Sequence, residues 1–118
     1  MTIEADIYTA LKSLVGNRVY PDIAPITATK PYITYSQIGG EAPTYLGAEV
    51  PSLKNARMQF DVWGDSRASV MSVMLQVESA LTLATTFQAK PIGAAQSSYD
   101  YDMQVYSAMQ DFSVWSNR

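Results

Sequence analysis

The sequence predicts a single α+β domain over residues 1–118, with two helices packed on one face of a mostly antiparallel, four-stranded sheet. Apolar residues recur at helical spacing near 2–15 and 66–83, and they alternate with other residues in the segments between and after these helices. A length of 118 residues with 47% hydrophobic and 16% charged residues suits one packed core. The predicted element order is therefore α-β-β-α-β-β.

A helix is predicted from about Thr2 to Val15. Its apolar residues form one stripe at 3.6-residue spacing: Ile3, Ile7, Leu11, Leu14 and Val15. Thr2 suits the N-cap because its hydroxyl can accept a hydrogen bond from a free backbone N–H, and Gly16 suits the C-terminal end. Arg18–Pro21 follows as a short extended piece, since proline disfavours helical geometry in the residue before it.

The first strand is predicted over Tyr32–Ile38, and a long connection runs from Gly39 to about Asn55. Glycines and prolines interrupt this connection, so no regular element fits it: Gly39, Gly40, Pro43, Gly47 and Pro51. It also carries apolar residues, namely Tyr45, Leu46, Val50 and Leu53. Because a connection of this length in a compact domain is usually functional, these residues are candidate contacts.

A four-residue pattern occurs twice, as Phe60-Asp61-Val62-Trp63 and as Phe112-Ser113-Val114-Trp115. Alternation of period two predicts two strands with Phe and Val under the helices and both tryptophans on the opposite face. Two interpretations of Trp63 and Trp115 remain open: a surface that awaits a partner, or ordinary tryptophans at strand ends. The flanks of the two copies differ, so we expect two similar strands of one sheet and no duplicated unit.

A second helix is predicted from a cap at Asp65 or Ser66 to about Leu83. Its buried stripe consists of Val70, Met74, Val77 and Leu81. A right-handed crossover through this helix could place a parallel pair of strands in the sheet.

The last third of the chain predicts two more strands. Thr85–Ala95 is predicted at an edge of the sheet, because Pro91 and Gly93 weaken it as a central strand. A polar turn over Ser97–Asp102 then leads to the final strand, from about Gln104 to Trp115.

Cysteine and histidine are absent from the sequence, which excludes thiol nucleophiles, histidine bases and ordinary zinc sites. Asp61 and Asp111 could share a proton if the two tryptophan strands pair, and solvated carboxylates are the alternative. Asp100 and Asp102, with Glu41 or Glu49, lack the spacing of a calcium loop. We therefore predict a protein that is not an enzyme and has no catalytic, cofactor-binding or metal-binding residue.

The net charge of −3 argues against non-specific binding of nucleic acid. No apolar run approaches the roughly 20 residues of a membrane span, and no secretory signal is visible at the N-terminus. Eight tyrosines suit either an interface or strand positions, and both interpretations remain open.

Several short motifs follow one another in order through nearly the whole chain after the N-terminal helix. They are Arg18-Val19-Tyr20-Pro21, Pro31-Tyr32-Ile33 with Tyr35, Arg57-x-Gln59-x-Asp61-Val62-Trp63, and Asp111-Phe112-x-Val114-Trp115. In order and spacing the sequence resembles the tail completion proteins of long-tailed bacteriophages, also called tail terminators or tail-to-head joining proteins.

The resemblance implies an α+β fold and a ring, usually a hexamer, at the head-proximal end of the tail tube. Such a ring caps the tube and joins the tail to the head. The implied partners are further copies of the chain, the major tail tube protein and the head completion or connector protein. DNA only passes through the lumen, and neither a cofactor nor a membrane is involved. The implied location is the tail or neck of the virion, assembled in the host cytoplasm.

For the contact with a neighbouring subunit or the tube, the candidate residues are Tyr45, Leu46, Val50, Leu53, Trp63 and Trp115. We expect the connection from Gly39 to Asn55 to be mobile in the free subunit and to order on assembly. The alternative function is a non-phage α+β domain that binds a protein or a small ligand.

Overall fold

The computed structural model describes residues 2–42 and 52–117 and contains a mixed five-stranded sheet with two α-helices packed on one face. The elements are α1 (Ile3–Leu11), a 3-10 turn (Lys12–Leu14), β1 (Val19–Pro21), β2 (Tyr32–Gly39), β3 (Leu53–Gly64), α2 (Arg67–Thr82), β4 (Gln88–Asp100) and β5 (Val105–Asn117). The strand order across the sheet is β1-β2-β3-β5-β4. The predicted fold class is therefore confirmed, whereas the number of strands is not.

The first helix begins as the sequence predicts. The hydroxyl of Thr2 accepts a hydrogen bond of 3.1 Å from the backbone N–H of Ala5. The α-helix ends at Leu11, before the predicted Val15, because its last turn tightens into a 3-10 turn. Gly16 follows with a φ of +57°, a conformation that glycine adopts without steric cost.

The prediction of four strands is wrong because Val19–Pro21 joins the sheet as β1. This segment, expected only as a short extended piece, pairs in parallel with Ile33–Tyr35 of β2. Two further contacts hold it there: Arg18 Nε donates to the carbonyl of Pro31 over 3.0 Å, and the N–H of Asp22 donates to the carbonyl of Tyr35 over 2.7 Å. The sheet is consequently mixed.

The crossover through α2 connects two strands that point in the same direction but are not neighbours. Both β3 and β4 pair antiparallel with β5, which lies between them. The hydrogen-bonded parallel pair of the sheet is β1 and β2. The parallel pair that the sequence suggested beside α2 is thus separated by the last strand.

The edge position of the fourth strand is confirmed, although the strand is longer than predicted. It continues to Asp100, so residues 97–100 belong to a strand and not to a turn. The turn lies over 101–104, where the Asp100 carboxylate accepts hydrogen bonds from the backbone N–H groups of Asp102 (3.0 Å) and Met103 (3.1 Å). Pro91 and Gly93 are tolerated because they lie on an edge strand, at or beside a register shift between Ile92 and Gln96.

The core lies between the sheet and the two helices. Phe60, Val62, Phe112 and Val114 are at most 1% exposed, as the alternation predicts. The α2 stripe packs over them: Val70, Met74, Val77 and Leu81. The cap of this helix is Ser66, whose hydroxyl accepts a hydrogen bond of 3.1 Å from the N–H of Ser69.

One polar side chain, Gln110, points from β5 into this core. Its amide donates to the carboxylate of Glu78 on α2 over 2.8 Å and to the carbonyl of Gly93 over 3.0 Å. Because a buried amide without partners costs free energy, these two bonds make the residue tolerable in the core. They also tie the irregular part of β4 to α2.

Candidate assembly surface

The face of the sheet turned away from the helices, called the open face below, carries both tryptophans. Trp63 is opposite Ser107 and Trp115 is opposite Asn55 in the register of β3 and β5. Eight positions of β3 separate Asn55 from Trp63, which corresponds to about 27 Å along a strand. Trp63 and Trp115 therefore mark opposite ends of the open face and do not form one patch.

Trp63 is half-buried and held by contacts within the subunit. Its ring stacks on Tyr32 with centroids 6.3 Å apart and an interplanar angle of 21°. Its indole N–H donates to the hydroxyl of Thr34 over 2.9 Å. The ring is therefore rigidly oriented, as the side chains of an interface often are.

An apolar recess of about 330 Å³ lies beside Trp63 on the open face. Its lining comes from the connector after β1, from β2 and from the turn between β4 and β5: Asp22, Ile23, Ala24, Pro25, Ile26, Tyr32, Thr34, Trp63, Asp100, Met103 and Val105. Ile23 is 81% exposed and Ile26 is 95% exposed. Large apolar side chains this accessible, grouped around one recess, are typical of a surface that a partner covers.

The Trp115 end differs in charge from the Trp63 end. Leu53, which is 46% exposed, lines a recess of about 200 Å³ together with Trp115 and Phe87. In the next row of the open face, Ser113 is opposite both Arg57 and Lys90. Lys90 borders this end, together with Arg57 in its ion pair with Asp111. Asp22 and Asp100 border the recess at the Trp63 end.

Asp61 and Asp111 lie diagonally on the open face, because Asp61 is opposite Met109 and Asp111 is opposite Gln59. Arg57 binds the Asp111 carboxylate over 2.9 Å. Burial raises the pKa of Asp61, the charge of Asp111 raises it further, and a hydrogen bond from Gln59 lowers it. This arrangement supplies one ion pair and one partly desolvated carboxylate.

Replacing Asp61 with asparagine is expected to stabilise the folded protein at neutral pH. A carboxyl whose folded-state pKa lies above its unfolded value binds protons more readily in the folded state, so its ionisation opposes folding above the unfolded value near pH 4. The wild type should lose stability as the pH rises from about 4 towards the raised pKa of Asp61. Urea unfolding of the wild type and of Asp61→Asn over this pH range checks the prediction. The prediction is wrong if the free energy of unfolding of Asp61→Asn falls with pH as much as that of the wild type.

Three tyrosines cluster near the turn between β4 and β5, on the other face of the sheet. The ring of Tyr99 lies 5.0 Å from that of Tyr101 and 4.7 Å from that of Tyr106, both in edge-to-face geometry. Tyr101 is 83% exposed. The sequence allows either interface or strand positions for the tyrosines. Tyr99 and Tyr106 lie in strands, while Tyr101 lies in the turn.

Within residues 2–42 and 52–117, no three acidic side chains lie close enough together to hold a metal ion. None of the described helices is long and apolar enough to cross a membrane. A further recess, of about 420 Å³, lies between the start of α1 and strands β2 and β3, where Glu4, Asp22 and Lys54 are its charged residues. Its lining contains no nucleophile paired with a base.

The structure describes three of the six candidate contact residues. Leu53 and Trp115 lie at one end of the open face and Trp63 lies at the other. Tyr45, Leu46 and Val50 lie outside the described residues. Sequence reasoning missed Ile23, Ile26 and Met103, although two isoleucines in a connector with Pro25 were a usable signal.

Comparisons with known proteins give one family match and one structural likeness. A family model described as "Tail completion protein gp17" matches residues 7–117. No curated protein matches the chain at a significant level. A solved structure titled "Virion of native gene transfer agent (GTA) particle" contains a chain with a TM-score of 0.68 and 16% sequence identity, and the match covers 98% of this chain and 95% of that one.

At 16% identity the structural likeness shows a shared fold, while the family model covers nearly the whole chain. The alternative of an unrelated, non-phage binding domain is thereby set aside. The chain belongs to the family of tail completion proteins, which are structural proteins of the bacteriophage tail.

Proposed function

We propose that the protein forms a ring, a hexamer, that caps the head-proximal end of the phage tail tube and joins the tail to the head. The observation that carries this proposal is the family match over residues 7–117. The two ends of the open face support it, because each offers exposed apolar side chains around a recess. In this function the protein is not an enzyme.

The proposed partners are neighbouring copies of the chain, the major tail tube protein and the head completion or connector protein. DNA passes through the lumen of the ring without being held there. A net charge of −3 favours such passage, since fixed negative charge repels phosphates. The protein acts in the tail or neck of the virion after assembly in the host cytoplasm.

The long connection between β2 and β3 is the proposed contact with a neighbouring subunit or the tube. Its two ends are joined by Asn55, whose side-chain oxygen accepts a hydrogen bond of 2.8 Å from the N–H of Glu41. The amide of the same residue donates to the Ser113 hydroxyl (3.0 Å) and the Val114 carbonyl (3.3 Å). The base of the connection is thus fixed to β5 near Trp115, so a contact made by Tyr45, Leu46 or Val50 would be continuous with that end of the open face.

Mixing the purified protein with tail tubes tests the proposed function. Electron microscopy should show rings at one end of each tube, and size measurement should give an assembly of six subunits. Monomers that never bind tubes would overturn the proposal.

Replacing Tyr45 and Leu46 together with serine should leave the subunit folded and block ring formation. The proposed reason is that these apolar side chains are buried only in the assembly, so their loss weakens the contact and spares the fold. Sedimentation gives the size of the assembly and circular dichroism reports the fold. Leu75→Ser, at an α2 position that is 65% exposed, is the matched control and should still form rings. If head–tail joining survives the double change, the connection is not the interface.

A further inference from the structure

The outer edge of β4 consists of two halves that differ in how they resist pairing. The first half contains Lys90, Pro91 and Gly93, the last with a φ of +86°, and its register shifts between Ile92 and Gln96. Charge, proline and a bulge are the devices that natural edge strands use against pairing with another chain. The first half is therefore protected.

The second half, Gln96–Asp100, has no proline and no bulge, and its one charged residue is Asp100 at the end of the strand. It pairs regularly with Met109–Val105 of β5, and it contains neither proline nor glycine nor a basic residue. No described strand lies beyond it, because β4 ends the sheet. It thus presents an unprotected row of backbone donors and acceptors, which is what strand addition requires.

The opposite edge of the sheet also has an unpaired segment, which a register shift between Gln37 and Gly39 interrupts. Strand β1 pairs only with Ile33–Tyr35, so among the described residues nothing pairs with the outer edge of Ser36–Gly39. Since β2 runs antiparallel to β3, and β3 points the same way as β4, β2 is antiparallel to β4. The β4 edge of one copy and the β2 edge of another can therefore pair antiparallel and continue one sheet across both copies.

We propose that Gln96–Asp100 of one subunit pairs as an antiparallel strand with Ser36–Gly39 of the next copy. This contact joins two different surfaces, so it can repeat from copy to copy and close into a ring, whereas pairing of β4 with β4 would stop at two copies. The inference rests on the proposed ring and identifies the backbone contact that builds it.

The side chains of the two segments are compatible with this pairing. Gln96, Ser97, Ser98 and Tyr99 would meet Ser36, Gln37 and Ile38, and Asp100 is the single charged residue among them. Like charges across the pair are therefore absent.

Hydrogen exchange of the free subunit and of the assembled ring tests the pairing directly. In a free edge strand alternate amides face solvent, and a new strand protects them. Outward-facing amides of Gln96–Asp100 and of Ser36–Gly39 should both become protected on assembly. A ring in which the amides of Gln96–Asp100 exchange as they do in the free subunit would overturn the pairing and leave the proposed function standing.

A lysine pair on the edge provides a second test. Ser97→Lys with Ser98→Lys should lower ring formation about tenfold or more, because lysines on an edge oppose strand addition. Both serines are exposed, so thermal unfolding of the subunit should change little. Ser72→Lys with Gln76→Lys, at two exposed positions of α2, adds the same charge away from the edge, and this matched control should assemble normally. Full assembly of the double variant contradicts the pairing, and so does a product of two copies in which only β4 is protected. If the wild type forms no ring at all, the proposed function itself is wrong.

Discussion

Phe112→Ala is expected to destabilise the subunit by about 3–5 kcal/mol. Phe112 is 0% exposed, and its ring meets that of Phe60 edge-on, with centroids 5.5 Å apart and an angle of 87°. The residue lies on β5, opposite Met58 on one neighbouring strand and Pro91 on the other. Truncation removes buried apolar surface and leaves a cavity where three strands meet α2, and a loss of this size approaches the whole stability of a small domain.

Urea unfolding followed by tryptophan fluorescence measures this loss. Phe112→Leu retains most of the volume and should cost much less than the alanine change. Tyr101→Ala removes a ring that is 83% exposed, so it should stay within about 0.5 kcal/mol of the wild type. If Phe112→Ala and Tyr101→Ala lowered the free energy of unfolding equally, the core would not be centred on β5.

Gly40→Ala is expected to cost on the order of 2–4 kcal/mol, through a close backbone approach added to an unfavourable φ. Gly40 has a φ of +136°, and a Cβ there would lie 2.8 Å from the Asn55 carbonyl oxygen and 2.9 Å from the Ala56 Cα. Both atoms belong to the backbone of β3, which cannot move aside as a flexible side chain does. The two ends of the connection between β2 and β3 should then separate, and the hydrogen bond from Glu41 to Asn55 should break.

The preceding glycine offers a matched control. Gly39 has nearly the same φ, +135°, but a Cβ there would meet nothing within 4 Å. Gly39→Ala therefore carries the backbone strain alone. The difference between the two variants in free energy of unfolding measures the cost of the close backbone approach at Gly40. Denaturant unfolding gives both losses, and exchange of the Glu41 amide reports on the base of the connection. A Gly39→Ala variant as unstable as Gly40→Ala would refute the steric account.

Periodicity predicted the fold class because the helical period and the strand period each extend over a long segment of this chain. The α2 stripe repeats over about three turns, and alternation around Phe60 and Phe112 placed the correct side chains under the helices. Val19–Pro21 was not recognised as a strand, since three residues are too few to show alternation and its pairing partner is distant in sequence. The predicted strand ended at Ala95 because the polar residues after it are typical of a turn, whereas residues 97–100 continue β4.

The candidate assembly surface was predictable only in part. Alternation placed Trp63 and Trp115 on one face, but their separation depends on the register of β3 and β5, which no local pattern encodes. The recess beside Trp63 joins Ile26 to Met103, residues far apart in the chain that the sheet brings to one end. Contacts of this kind follow from topology and not from composition.

The place of β5 in the sheet has a consequence for how the subunit is made. This strand leaves the ribosome after β4, yet it lies between β3 and β4 and supplies the inner partner of both. Its pairing with β4 is local and closes through a short turn, whereas its pairing with β3 joins Leu53 to Asn117 and must wait for a long loop to close. We expect the hairpin to form first and its docking on β3 to limit the rate of folding. Until that docking occurs, the sheet of a nascent chain is incomplete, because β5 is the strand that joins β4 to β3.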